Sequence, residues 1–170
     1  DADIPRFAKL GVIASMQTSH AISDMLFAAA RLGPERSGGA YAWRKVLDAG
    51  GVIAGGTDAP VEAGDPRVEF YAAITRRTLE GFAGPDWGLD QRLTREEALA
   101  ILTSGSAYAA FEERDRGTIE GGKLADFSVF SGDWMTIPEM DILRSQAVMT
   151  VIGGEVVWEE GSDPLNKDIS

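Results

Sequence analysis

The 170-residue chain is 44% hydrophobic and carries 27 acidic against 16 basic residues, for a formal net charge of −11. That apolar fraction suffices for a substantial core in one or two domains. The acidic balance argues against a nucleic-acid partner, whose phosphates require a basic face, and against an anionic membrane surface. Because the chain has no cysteine, disulfides, thiolate zinc sites and cysteine nucleophiles are excluded.

The two ends of the chain give further expectations. No stretch approaches the ~20 apolar residues of a membrane helix, and no signal peptide is visible, so we expect a cytoplasmic protein with no membrane partner. The chain starts at Asp1 without Met, directly before a predicted helix. Such a start is consistent with a fragment or a processed product.

The N-terminal part alternates between predicted helices and strands. The first predicted helix covers Ile4–Leu10, is capped by Asp3 and is ended by Gly11. A buried strand follows over 12–17, and then a helix over Met25–Leu32 that Ser23 or Asp24 starts. We further predict a helix over 41–49, a strand over 52–58, and helices over 68–79, 98–104 and 107–111. Thr94 and Glu97 form a capping box before the helix over 98–104. This rhythm is typical of a βα barrel or a doubly wound sheet.

The pattern changes at Gly117 to short alternating segments. We predict strands over Phe127–Phe130, 148–152 and 155–158, the last two joined by Gly153-Gly154 as a hairpin. The predicted organisation is an α/β barrel portion over 1–116, strands of a small β unit over 117–161, and a polar, loosely held tail over 162–170.

Asp58 is the first candidate for chemistry. The predicted strand over 52–58 ends on this single carboxylate among small residues. In a βα barrel, catalytic groups sit at the C-terminal ends of strands. A carboxylate there can bind a divalent metal and accept a proton from metal-bound water. The alternative is that Asp58 caps the turn before Pro60.

His20, the chain's single histidine, follows the preceding strand on the face where Asp58 should emerge. Gln17, His20 and Asp24 could therefore converge with Asp58 on one pocket, although a lone histidine is more often structural than a ligand. One histidine and one Asp cannot complete a tetrahedral zinc site without outside ligands.

Other motifs are weaker. Gly55-Gly56 and Gly121-Gly122-Lys123 lack the spacing of phosphate-binding loops. Arg76-Arg77 is typical of a solvated helix face, with Arg77 a minor candidate for meeting a substrate carboxylate.

Three stretches resemble the amidohydrolase superfamily, and within it the YtcJ-like branch, amidohydrolase family 3. They are SMQTSH at 15–20, GGTDAPVE at 55–62 and GTIEGGKLADF at 117–127. The first two resemble segments closing the seventh and eighth barrel strands. The third, which is the most specific, resembles the passage from the barrel into a small β-sandwich. The family commonly has proline where Thr18 stands and serine where Thr57 stands. Without proline, the backbone at position 18 loses its fixed φ.

The resemblance implies the C-terminal part of a (β/α)8 barrel followed by β-sandwich strands. It implies a metal-dependent hydrolase that cleaves non-peptide amide or cyclic amide C–N bonds of a small molecule through a metal-activated water. Asp58 would then bind the metal, expected to be zinc, and act as the catalytic proton acceptor. Gln17 and His20 would belong to the substrate pocket, with Asp24 beside them.

The remaining ligands are expected outside these residues. Because two strand–helix units cannot close an eight-stranded barrel, we expect the chain to need the rest of its barrel or a partner chain, and a homo-oligomer is possible. Two alternatives stay open. One is a non-catalytic truncated relative acting as a subunit or regulator; the other is a small α/β binding domain.

Overall fold

A computed structural model describes residues 1–85 and 87–162. Its elements are, in chain order, α1 (Ile4–Leu10), β1 (Ile13–Met16), α2 (His20–Ser23), α3 (Met25–Leu32), α4 (Pro34–Ser37), α5 (Trp43–Asp48), β2 (Val52–Gly55), α6 (Pro66–Thr75), a 3₁₀ turn (Leu89–Gln91), α7 (Arg95–Leu102), α8 (Ser104–Ala109), β3 (Phe127–Phe130), α9 (Glu139–Arg144), β4 (Ala147–Ile152) and β5 (Glu155–Glu159). The prediction of a mixed α/β chain is confirmed.

Strands β1 and β2 pair in parallel, from Ile13 opposite Val52 to Met16 opposite Gly55. Their carboxyl ends therefore meet at one edge of the sheet. The core behind them is formed by buried side chains of the sheet and of the helices around it: Ala14, Trp43, Ile53, Phe70, Ala98 and Ile101. The two strands that were predicted to carry the site are thus neighbours.

Helix α8 lies close against β2 because Gly105 has no side chain. A Cβ built on Gly105 would lie 2.3 Å from the carbonyl oxygen of Ile53, in the middle of β2. No real side chain tolerates that distance, so this glycine sets the spacing between helix and strand.

Most helix ends follow their sequence signals. Gly11 ends α1 with a left-handed φ of 65°, and Thr94 and Glu97 form the predicted capping box of α7. The prediction that Asp3 caps α1 is wrong, because its carboxylate accepts a hydrogen bond from Arg6 instead. Asp24 precedes α3 as predicted but makes no side-chain cap.

Helix α6 ends at Thr75, earlier than predicted, because Arg76 adopts a left-handed φ of 53°. Arg76 is 1% exposed, so the prediction that it lies on a solvated helix face is wrong. Its guanidinium lies 4.6 Å from the ring centroid of buried Trp43. It donates hydrogen bonds to three backbone carbonyls, those of Ala40, Tyr41 and Trp87. Burial lowers the pKa of Arg76 to about 10, so this residue is a structural cation of the core.

Strands β3, β4 and β5 form a second, antiparallel sheet in that order. Gly153 and Gly154 connect β4 to β5, both with positive φ, which confirms the predicted hairpin. The domain boundaries at residues 116 and 161 stay predictions, and the predicted tail from residue 163 lies outside the described residues. Within the described part of the chain, no helix combines the length and the apolar character needed to cross a bilayer.

Candidate active site

Asp58 lies three residues beyond the carboxyl end of β2. Its backbone is left-handed, with φ 53°, a conformation that Asp tolerates better than most residues. Its carbonyl accepts a hydrogen bond from the Val61 amide at 2.8 Å, closing a turn. The side chain is 49% exposed, and no hydrogen bond reaches its carboxylate from the described residues. The carboxylate is therefore not used as a cap and is available for another group.

His20 is the first residue of α2 and lies at the same edge of the sheet as Asp58. Its Nε2 is 3.7 Å from Asp58 Oδ2 and 3.8 Å from Glu62 Oε1, too far for hydrogen bonds. This nitrogen is buried and has no hydrogen-bond partner among residues 1–85 and 87–162. A buried polar atom without a partner is unusual and calls for a missing ligand or water.

Glu62 is a site residue that sequence reasoning missed. One of its oxygens accepts a hydrogen bond from the Ser23 hydroxyl at 2.7 Å, so the carboxylate is held beside His20. Its amide reaches back to the Asp58 carbonyl at 3.4 Å. The spacing of four residues from Asp58, in a turn, was the signal available in the sequence.

The structure gives the side chains of the other two predicted pocket residues, Gln17 and Asp24, contacts outside the group of His20, Asp58 and Glu62. Gln17 Nε2 lies 4.0 Å from a Cβ built on Gly56, at the end of the sheet. Asp24 Oδ2 accepts a 2.6 Å hydrogen bond from the Tyr41 hydroxyl. Burial, reinforced by this hydrogen bond, raises the pKa of Tyr41 to about 12. The substrate-binding roles of Gln17, His20 and Asp24 stay predictions.

A cavity of about 310 Å³ opens beside Glu62. Four carboxylate residues line it and none of its lining residues is basic: Glu62, Asp65, Glu69 and Glu80. Two further lining residues, Ser19 and Ser23, belong to the segment around α2 that carries His20. Glu62 therefore borders a concave space of small-molecule size, whose lining includes neither His20 nor Asp58.

The residues fit one part of a metal site and not a whole one. In the described ranges no group of three or more His, Asp or Glu side chains could hold a metal ion. The Asp58 carboxylate, which lies next to the His20 nitrogen that has no hydrogen-bond partner, fits a metal site whose other ligands come from outside the described residues. The pair by itself cannot bind zinc tetrahedrally.

Comparison with known proteins gives the family. The amidohydrolase family model matches residues 1–158. The putative amidohydrolase YtcJ of Bacillus subtilis is 34% identical over 157 residues, which are 92% of this chain and 30% of that protein. The N-substituted formamide deformylase of Arthrobacter pascens is 28% identical over 116 residues, 68% of this chain and 21% of that protein.

A solved protein structure is also similar to this chain. An uncharacterized metal-dependent hydrolase from Pyrococcus horikoshii matches with a TM-score of 0.69 and 27% identity, over 82% of this chain and 28% of that one. The chain thus spans about a third or less of the proteins it matches. On the family match, which covers most of its length, the chain belongs to the amidohydrolase family.

Proposed function

We propose that this chain supplies the Asp58 edge of the active site of a metal-dependent hydrolase that cleaves non-peptide amide or cyclic amide C–N bonds. One observation carries the proposal. The free Asp58 carboxylate at the end of a parallel strand lies beside the unpartnered buried Nε2 of His20. The formamide deformylase among the relatives supports the bond type, and the metal-dependent hydrolase neighbour supports the cofactor.

The proposed architecture places β1 and β2 as the last two strands of a (β/α)8 barrel and β3–β5 in a small β-sandwich. Sheet topology supports this, because β1 and β2 pair only with each other among the described strands and each leaves an edge open. Val12 and Val52, at the start of this pair, are 48% and 37% exposed. Open edges and exposed apolar residues favour a covering partner, either the rest of the barrel or another chain.

In the proposed chemistry, a bound divalent metal, zinc in our proposal, supplies a Lewis acid and an activated water. Asp58 would be one of the residues that hold the metal. It would take a proton from the water that adds to the carbonyl carbon and return it to the nitrogen as the C–N bond breaks, leaving a carboxylic acid and an amine. In this proposal His20, Gln17 and Asp24 contact the substrate. Glu62 holds a negative charge near His20 and borders the cavity in which the rest of a small substrate fits.

A hydrolysis assay on the natural polypeptide tests the proposal. N-butylformamide serves as the first probe and formate release as the signal. We expect a chelator to abolish hydrolysis and zinc to restore it. Asp58→Asn should lower kcat by roughly 10²–10⁴, the usual contribution of a general base. The matched control is Asp115→Asn, at an exposed position in the turn that follows α8. Full activity in Asp58→Asn would contradict the proposal.

A second candidate function is a non-catalytic subunit or regulator. The absence of a three-ligand group from the described part of the chain favours it. It predicts that Asp58→Asn changes neither hydrolysis nor metal content, whereas the hydrolase proposal requires both to fall.

A further inference from the structure

Glu69 is a buried carboxylate that the proposed chemistry does not use. It lies in the first turn of α6 and is 1% exposed. Burying a carboxylate is unfavourable unless hydrogen bonds replace its lost hydration. The partners of Glu69 therefore indicate what its burial achieves.

Those partners belong to the segment between β1 and α2. The Ser19 amide donates to Glu69 Oε2 at 3.0 Å, and the Thr18 hydroxyl donates to the same oxygen at 2.9 Å. The Thr18 hydroxyl is also 2.6 Å from the backbone carbonyl of Glu69. Both Thr18 and Ser19 are 1% exposed. Oε2 of Glu69 thus accepts from the Ser19 amide, and the single hydroxyl hydrogen of Thr18 is shared between Oε2 and the backbone carbonyl of Glu69.

The bound segment leads directly into His20. The carbonyls of Thr18 and Ser19 accept from the amides of Ala21 and Ile22, at 3.2 and 2.9 Å, and so close the first turn of α2. Holding residues 18 and 19 consequently fixes where the His20 side chain leaves the backbone.

Glu69 also belongs to the helix that follows the Asp58 loop, since α6 begins at Pro66. The Glu69 side chain therefore ties the Thr18-Ser19 segment to α6, the helix that follows the loop of Asp58, and His20 and Asp58 lie 3.7 Å apart. From these contacts we infer that Glu69 is a positioning residue, which holds the Thr18-Ser19 segment and thereby orients His20 towards Asp58. The inference rests on the proposed function, because that proposal gives His20 its role.

Two substitutions at Glu69 separate positioning from simple packing. Glu69→Gln keeps an oxygen that can accept from both Thr18 and Ser19, whereas Glu69→Met keeps the length and removes both acceptors. Thr18→Val removes the hydroxyl that contacts both Oε2 and the backbone carbonyl of Glu69, and it leaves the Ser19 bond in place. It keeps the test informative if Glu69→Met folds poorly.

The first readout needs no activity. Diethylpyrocarbonate modification of His20, followed by peptide mass spectrometry, reports the accessibility of the imidazole in the natural polypeptide. We expect about a tenfold faster modification in Glu69→Met, as when one side-chain hydrogen bond is lost from a local opening equilibrium. Glu69→Gln should stay close to wild type, and Thr18→Val should fall between. Unchanged His20 reactivity in a folded Glu69→Met protein, or an equal rise in Glu69→Gln, would overturn the inference.

The second readout is a double-mutant cycle on formate release from N-butylformamide. If Glu69 acts through His20, the rate losses of Glu69→Met and His20→Ala do not add in the double variant. Additive losses would mean that Glu69 acts elsewhere. A full rate in His20→Ala would refute the role proposed for His20, while the modification assay would still decide whether Glu69 positions it.

Discussion

Replacing Gly105 by alanine tests the contact between α8 and the strand that leads to Asp58. The added Cβ would lie 2.3 Å from the Ile53 carbonyl oxygen and 3.3 Å from that of Ala100. Ordinary contact begins at 3.4 Å, so the helix must move away from β2 by about 1 Å. The obstructing atom is backbone in a paired strand, so no side-chain rotation relieves the clash.

The expected change in the free energy of unfolding of Gly105→Ala follows from two opposing effects. Overpacking a well-packed interior costs typically 1–3 kcal/mol and occasionally more. Alanine in place of glycine in a helix returns about 1 kcal/mol. Because this clash is severe and against backbone, we expect a net loss of about 2 kcal/mol in the free energy of unfolding. For a domain of this size that corresponds to a melting temperature roughly 4–8 °C lower.

Thermal melting followed by circular dichroism is the assay. Gly121→Ala is the matched control, because a Cβ on Gly121 meets nothing within 4 Å and this glycine does not have a positive φ. A Gly105→Ala protein that melts at or above the wild-type temperature would refute the reasoning about this contact.

Two further predictions concern charged residues of the scaffold. Arg76→Met should lower the free energy of unfolding by about 3 kcal/mol, because one buried and two partly buried carbonyls lose their donor; equal urea midpoints for Arg76→Met and the exposed control Arg77→Met would contradict this. Hydrogen bonds from Arg44 lower the pKa of Glu97 to about 2 from an ordinary 4.5, so its stabilisation is present above pH 4.5 and is lost as the pH falls towards 2. Because the Glu97 side chain is a third exposed, the free energy of unfolding at pH 7 should be only ~1 kcal/mol higher for wild type than for Glu97→Gln. A difference in urea midpoint between the two proteins that persists at pH 2 would refute the assignment.

Local signals in the sequence were sufficient for much of the secondary structure. The glycines that follow α1 and α3, together with the apolar residues of α3, predicted both helices with their observed bounds. Helices α2, α4 and α9 were not predicted, because four to six residues are too few to show an apolar period. The early end of α6 depends on tertiary structure, since Arg76 leaves the helical conformation while its guanidinium is buried against Trp43.

For the candidate site, too, one part could be predicted from the sequence and another part could not. The proximity of His20 and Asp58 was predictable, because both follow strands that proved to be parallel neighbours. Glu62 was missed, since its importance depends on a turn and on the Ser23 hydroxyl. Thr18 was expected to alter the loop through the loss of a fixed φ. That expectation stays a prediction. The structure shows in addition that Thr18 is hydrogen-bonded to Glu69, 51 residues away, and no local pattern reveals a contact of that separation.

The most direct test of the central claim is the location of the metal. Crystals of the natural polypeptide grown with zinc, measured at the zinc absorption edge, give the ion's position by anomalous scattering. We predict a peak roughly 2.0–2.2 Å from an Asp58 carboxylate oxygen, the usual zinc–carboxylate distance, and its loss in Asp58→Asn but not in Asp115→Asn. A zinc peak that Asp58 does not touch, or one that persists unchanged in Asp58→Asn, would contradict the assignment of Asp58 as a metal ligand.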